Sequence, residues 1–134
     1  APTSSSWGIE NRTAGIRAIP SGESATRVEC RIPGSDANPY LAMAAVLAAG
    51  LYGIEHNIAP PEPCTGNAYE SADLYPRLPD SLASATALFK ASAPATELFG
   101  GDFVNHFAAT REWELRQFSS AVTDWELNRY FEVI

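Results

Sequence analysis

The sequence predicts an α+β chain, mostly helical, in which an antiparallel β-hairpin is followed by about four helices. Three observations carry this. Residues 15–19 and 26–32 read as short strands on either side of Pro20-Ser21-Gly22, a turn signal. Residues 40–54 contain no charged side chain and follow Asn38-Pro39, a helix-start pair. From residue 81 onward, apolar positions recur at helical spacing between Pro and Gly breakers.

Taken in order, residues 1–6 read as a flexible start. The hairpin follows, with a loop longer than the tight two-residue kind. A helix over 36–58 has Asn38 as N-cap and Pro39 in its first turn. Its uncharged run is shorter than the ~20 apolar residues of a membrane span, so it reads as a helix buried on nearly all sides. Residues 59–80 carry Pro60, Pro61, Pro63, Pro76 and Pro79 and form a long surface connection. A short helix over 81–92 shows Leu82, Ala85, Leu88 and Phe89 on one face and ends at Pro94. One helical turn over 96–99 stops at Gly100-Gly101. A longer helix over 102–119 has Phe103, Phe107 and Phe118 on its apolar side and a Glu112–Arg116 pair at i,i+4. Thr123-Asp124-Trp125-Glu126 is a capping box. It opens a last helix, from 124 to about 133, that packs through Leu127, Tyr130 and Phe131.

The chain has 134 residues, 46% hydrophobic and 19% charged, which suits one globular domain. Its net charge of -7 is unsuited to nucleic-acid or anionic membrane partners. Charge is unevenly placed. Residues 1–33 carry Arg12, Arg17, Arg27 and Arg31 against Glu10, Glu23 and Glu29, with no lysine, so this strand region is positive and the helical region 34–134 acidic. Arginine without lysine favours bidentate anion recognition. Two cysteines, Cys30 and Cys64, do not make a disulfide framework and imply free thiols in a reducing, cytoplasmic setting. The chain starts without Met or a signal peptide and reads as an excised piece of a longer protein.

Alternate residues of a strand share a face. Arg27, Glu29 and Arg31 therefore point one way, and Val28, Cys30 and Ile32 form an apolar face for the core. Two uses fit the charged face. One is a solvated, self-paired ladder. The other is a polyphosphate site, in which guanidiniums bind oxygens and the carboxylate holds a divalent metal. With Arg17 beside the second strand and Arg12 approaching from just before the first, the arginines would repel each other unless an anion or several carboxylates sat between them, so both uses stay open.

The segment Asn11-Arg12-Thr13-Ala14-Gly15-Ile16-Arg17 resembles a signature of the glutamine synthetase family. Arg27-Val28-Glu29-Cys30-Arg31 with Pro33 resembles its next strand motif. Asp36-Ala37-Asn38-Pro39-Tyr40-Leu41, Ala48-Ala49-Gly50-Leu51-Tyr52-Gly53-Ile54 and the ending Val122-Thr123-Asp124-Trp125-Glu126-Leu127-Asn128-Arg129-Tyr130-Phe131 are similar to further blocks in the same order. The resemblance implies that the chain is the C-terminal part of a catalytic domain. It implies a ligase that phosphorylates the glutamate side chain with ATP and then lets ammonia or an amine attack. It places Arg12 as catalytic on the transferring phosphate, Arg12, Arg17 and Arg27 on ATP, Glu29 on Mg²⁺ or Mn²⁺, and Arg31 on glutamate. It also implies a homo-oligomer and a missing N-terminal portion that brings the other metal ligands.

The chain departs from the family pattern after Pro20, where the turn is shorter and Glu23-Ser24 replaces a common lysine. Trp7-Gly8 resembles members that use organic amines. His56 reads as a helix C-terminal residue and His106 as a packing or solvated one. The sequence holds no P-loop, Cys-x-x-Cys or nucleophile triad. Two readings of other classes compete with the ligase fragment: an assembly module and a non-catalytic nucleotide-binding module.

Overall fold

The computed structural model describes residues 2–133, the side chain of residue 72 excepted. The chain divides into two compact units, Ala1–Leu78 and Pro79–Ile134.

In the first unit, β1 (Trp7–Ile9), β2 (Ile16–Ile19) and β3 (Arg27–Cys30) form a sheet in the order β1-β2-β3. The expected hairpin is β2–β3, antiparallel with Arg17 opposite Glu29 and Ile19 opposite Arg27. Its connection carries one helical turn, α1 (Gly22–Ala25), entered by Gly22 at φ +63° and closed by the Thr26 hydroxyl donating to the Gly22 carbonyl at 2.7 Å. β1 is an additional strand, parallel to β2. Three residues of Trp-Gly-Ile are too few to show a period, which is why alternation does not reveal it.

The start of the chain is ordered rather than loose. Ser4 and Ser6 are buried. Ser5 N donates to the Pro76 carbonyl at 2.9 Å, Leu78 N to Thr3 O at 3.0 Å and Ile16 N to Ser6 O at 3.0 Å. Backbone pairing on both sides and small side chains make this polar stretch part of the interior.

The buried cluster of the unit is Ala14, Cys64 and Ala68, with Tyr75 packed against it. Cys64, rather than Cys30, is the buried thiol. Val28 and Ile32, expected in a core, are 66% and 40% exposed, because that face is only partly covered by the described residues of the unit. The same holds for α2 (Pro39–Glu55). Its start is as the sequence predicts, with Asn38 Oδ1 accepting from Tyr40 N and Leu41 N. None of its residues is buried, and Met43, Leu47 and Ile54 are exposed. The apolar side chains of α2 thus lie uncovered among the described residues, as expected of a helix whose partner structure is missing.

The second unit contains α3 (Leu82–Lys90), α4 (Ala93–Phe99), α5 (Gly101–Ser120) and α6 (Asp124–Tyr130). α3 and α4 pack on α5. Phe89 meets Phe107 edge-on at 5.6 Å, and Phe103 stacks beside Phe107 at 5.9 Å. Val104, Ala108, Ala95 and Thr86 are buried, while Phe118 and Leu88 are exposed. Pro94 lies in the first turn of α4, capped by Ser92. There its missing N–H costs nothing, so it starts a helix as well as following one. Glu112 pairs with Lys90 of α3 at 2.8 Å, not with Arg116, because the neighbouring helix offers a closer ammonium. The Thr123–Glu126 capping box is present, but α6 buries none of its residues, and Leu127, Tyr130 and Phe131 are exposed.

The carboxyls of Glu112 and Glu126 are both held below their ordinary range, the first by the Lys90 hydrogen bond and the second by hydrogen bonds from Thr123. A folded pKa below the unfolded one adds stability that is present above the unfolded value. We expect the helical unit to lose this contribution as pH falls below about 4.5 and through the depressed values. Far-UV circular dichroism during acid titration reads it, and Glu126→Gln should flatten the response. Thr123→Ala removes the cap and is expected to cost about 1 kcal/mol of α6 stability. Faster amide exchange in that helix alone would show it.

Candidate functional site

The charged face of β2 and β3 follows from their register. Arg17 and Glu29 are direct cross-strand partners, so their side chains meet on one face, with Arg27 two residues before Glu29. Arg17 is the centre of the group. One terminal nitrogen, Nη1, donates to Glu29 Oε2 at 3.3 Å, and the other, Nη2, donates to Glu10 Oε2. Arg27 Nη2 lies 4.0 Å from Glu29 Oε1. Chiefly through the Glu10 hydrogen bond, and against the opposing effect of burial, Arg17 is held further above its ordinary pKa. It stays a cation at every working pH.

Arg31 is half-buried just beyond β3, anchored by its backbone N–H to the Gly15 carbonyl at 2.9 Å. The Nε atoms of Arg17 and Arg31 are both buried and have no partner among the described residues. A buried unpaired donor costs stability, and two of them on one small sheet suit an added acceptor. Arg12 is exposed and makes no hydrogen bond or ion pair with the other four. The structure therefore joins Arg17, Arg27 and Glu29 into one group and leaves Arg12 and Arg31 outside it.

Arg12 is presented by its neighbours. Asn11 Nδ2 donates to the carbonyls of Cys64 at 3.0 Å and Gly66 at 2.8 Å. Asn11 Oδ1 accepts from Thr13 N at 2.9 Å and Thr13 Oγ1 at 2.6 Å. Thr13 Oγ1 in turn accepts from Ala68 N at 2.8 Å. The proline-rich connection is thus clamped to the loop after β1, and Cys64 N donates to Trp7 O at 2.7 Å beside it. Trp7 Nε1 reaches the Pro61 carbonyl at 2.6 Å. Sequence reasoning assigned no role to Glu10, Asn11 or Thr13. The signal for the last two was present: Asn and Thr two apart in a loop make local side-chain turns. We expect Asn11→Ala to cost about 1–3 kcal/mol, since it strands acceptors and donors at once. Faster exchange of the Cys64 and Ala68 amides would report it.

His56 caps the C-terminus of α2, as its place in sequence predicts, with its ring stacked on Tyr52 at 3.9 Å. Among the described residues no three His, Cys, Asp or Glu side chains group to hold a metal ion, and no helix is long and apolar enough to cross a membrane. Glu29 fits a metal as one carboxylate ligand only, its second oxygen being the less tightly engaged.

A sheet that sets a carboxylate between arginines, behind an Asn-Arg-Thr loop, has clear relatives. Residues 1–130 match the family model described as glutamine synthetase, catalytic domain. The chain belongs to that family. It is 50% identical to a glutamate–isopropylamine ligase of Pseudomonas, over 97% of this chain and 28% of that protein. It is 48% identical to a gamma-glutamylethanolamide synthetase of Streptomyces coelicolor, over 98% and 28% respectively. Among solved structures, GmaS in an ADP complex superposes with a TM-score of 0.83 at 32% identity, covering 98% of this chain and 30% of that one. The chain spans under a third of the length of these relatives.

Proposed function

We propose that this chain forms one wall of the active site of an ATP-dependent ligase that joins the glutamate side-chain carboxylate to ammonia or an organic amine. The observation that carries the reading is the Arg17–Glu29 pair on a sheet whose buried Arg17 and Arg31 Nε donors lack acceptors among the described residues. In this account Arg17 and Arg27 bind ATP phosphates and Arg12 contacts the transferring phosphoryl group. Arg31 holds glutamate and its phosphorylated form. Fixed guanidiniums neutralise charge on the moving oxygens without reorganising. Glu29 would ligate Mg²⁺ or Mn²⁺, which supplies further charge neutralisation between phosphates. The remaining metal ligands come from another part of the parent enzyme. Relatives at 50% and 48% identity named for isopropylamine and for an ethanolamide support an organic amine as acceptor, and another at 48% named a glutamine synthetase supports ammonia.

On this reading the 134-residue chain does not turn over by itself, and the parent works as a homo-oligomer in a reducing, cytoplasmic compartment. The test is amide formation by the parent enzyme, with ADP release measured against glutamate and a panel of amines. ADP release that depends on both glutamate and an amine or ammonia is the expected result. Nucleotide turnover indifferent to glutamate would overturn the assignment.

A further inference from the structure

Arg17 is the most enclosed of the group, with its side chain 14% exposed, and both of its terminal nitrogens are committed to carboxylates. A phosphate oxygen coming to either terminal nitrogen therefore competes with a carboxylate already there. The two are not equivalent. Glu29 stands directly opposite Arg17 in the sheet and is 35% exposed. Glu10 comes from the loop just after β1 and is 52% exposed. Its backbone sits at φ +53°, a left-handed conformation unusual for glutamate, and is held there by its N–H to the Ala18 carbonyl at 2.9 Å. The sheet ladder thus fixes the backbone of Glu10 beside β2, and the side chain spans to Arg17 from the more open side.

We propose that Glu10 is the internal counter-anion of this site: its carboxylate occupies the Arg17 nitrogen that a phosphate oxygen would take, and so it sets how tightly a polyphosphate binds. The proposal rests on the phosphate reading of the arginine face and adds a residue that opposes binding. Glu10 and Glu29 leave Arg17 neutralised, so a polyphosphate competes with the Glu10 carboxylate for its charge.

The probe is inorganic tripolyphosphate, titrated calorimetrically into the 134-residue chain at low ionic strength. Glu10→Gln keeps the shape and removes the charge, and is expected to tighten binding about 3- to 10-fold, the scale of a partly exposed, charge-assisted hydrogen bond. Glu10→Asn suits the left-handed backbone and should act in the same direction. Glu23→Gln removes the same charge from α1, where Glu23 is exposed. It should have a much smaller effect. In an Arg17→Ala background the gain from Glu10→Gln should vanish. A gain no larger than that of Glu23→Gln, a gain that survives Arg17→Ala, or no binding by the Glu10 variants overturns the proposal. The underlying phosphate reading fails separately, if an Arg12→Ala, Arg27→Ala chain binds tripolyphosphate as tightly as the unaltered one.

Discussion

Alanine at Arg12 is expected to lower kcat of the parent enzyme about 10²- to 10³-fold while leaving folding stability within about 0.5 kcal/mol. The two halves of this expectation have one cause. Arg12 is exposed and bonds to none of the described residues, whereas the residues on either side of it, Asn11 and Thr13, make the hydrogen bonds that hold the loop. A side chain presented by its neighbours, yet contributing nothing to the fold, is available for the reaction. Steady-state kinetics with ATP saturating, together with urea denaturation of the same variant, reads both halves. A fall in kcat with KM for ATP little changed would place Arg12 on the transferring group rather than on ground-state binding. Activity within a few-fold of the unaltered enzyme would remove Arg12 from the catalytic set.

Alanine at Gly8 should act the other way, through the fold. A Cβ there would lie 2.6 Å from the Cys64 carbonyl oxygen and 2.9 Å from Asn11 Cβ. The oxygen belongs to backbone that accepts from Asn11, so it cannot move without loosening the clamp. The expected cost is about 1–3 kcal/mol or more. The hydrogen bond from the Trp7 indole to the Pro61 carbonyl should break with it. Gly50→Ala is the matched control. Nothing lies within 4 Å of its added methyl. In a helix interior it should stabilise by roughly 0.5–1 kcal/mol. Chemical denaturation followed by tryptophan fluorescence distinguishes the two signs. Equal stability of both variants would mean that the clamp around Trp7 and Cys64 does not hold in solution.

The hairpin, the N-cap of α2 and the Thr123 capping box were legible because each depends on interactions a few residues apart. Burial was much less legible. Val28, Ile32, α2 and the Leu127 and Tyr130 positions of α6 are apolar in sequence, and their exposure depends on what covers them, which no local pattern encodes. The interior of the first unit is built instead from small residues in irregular backbone: Ser4, Ser6, Ala14, Cys64 and Ala68. They are small or polar and lie outside the helices and strands, so hydrophobic periodicity passes over them. The site divides in the same way. Arg17, Glu29 and Arg27 meet because strand alternation puts them together, and alternation is visible in sequence. Glu10 joins them through a left-handed turn residue whose direction no propensity specifies.

The central claim, that the arginine-bearing sheet is a phosphate site, is tested most directly by calorimetric titration of Mg-ATP into this chain beside an Arg12→Ala, Arg27→Ala variant. The account predicts weak binding by the unaltered chain that disappears in the variant, with the fold of both unchanged by circular dichroism. Undiminished binding by the variant, or none by the unaltered chain, would contradict the claim that the arginine-bearing sheet binds phosphate within this chain.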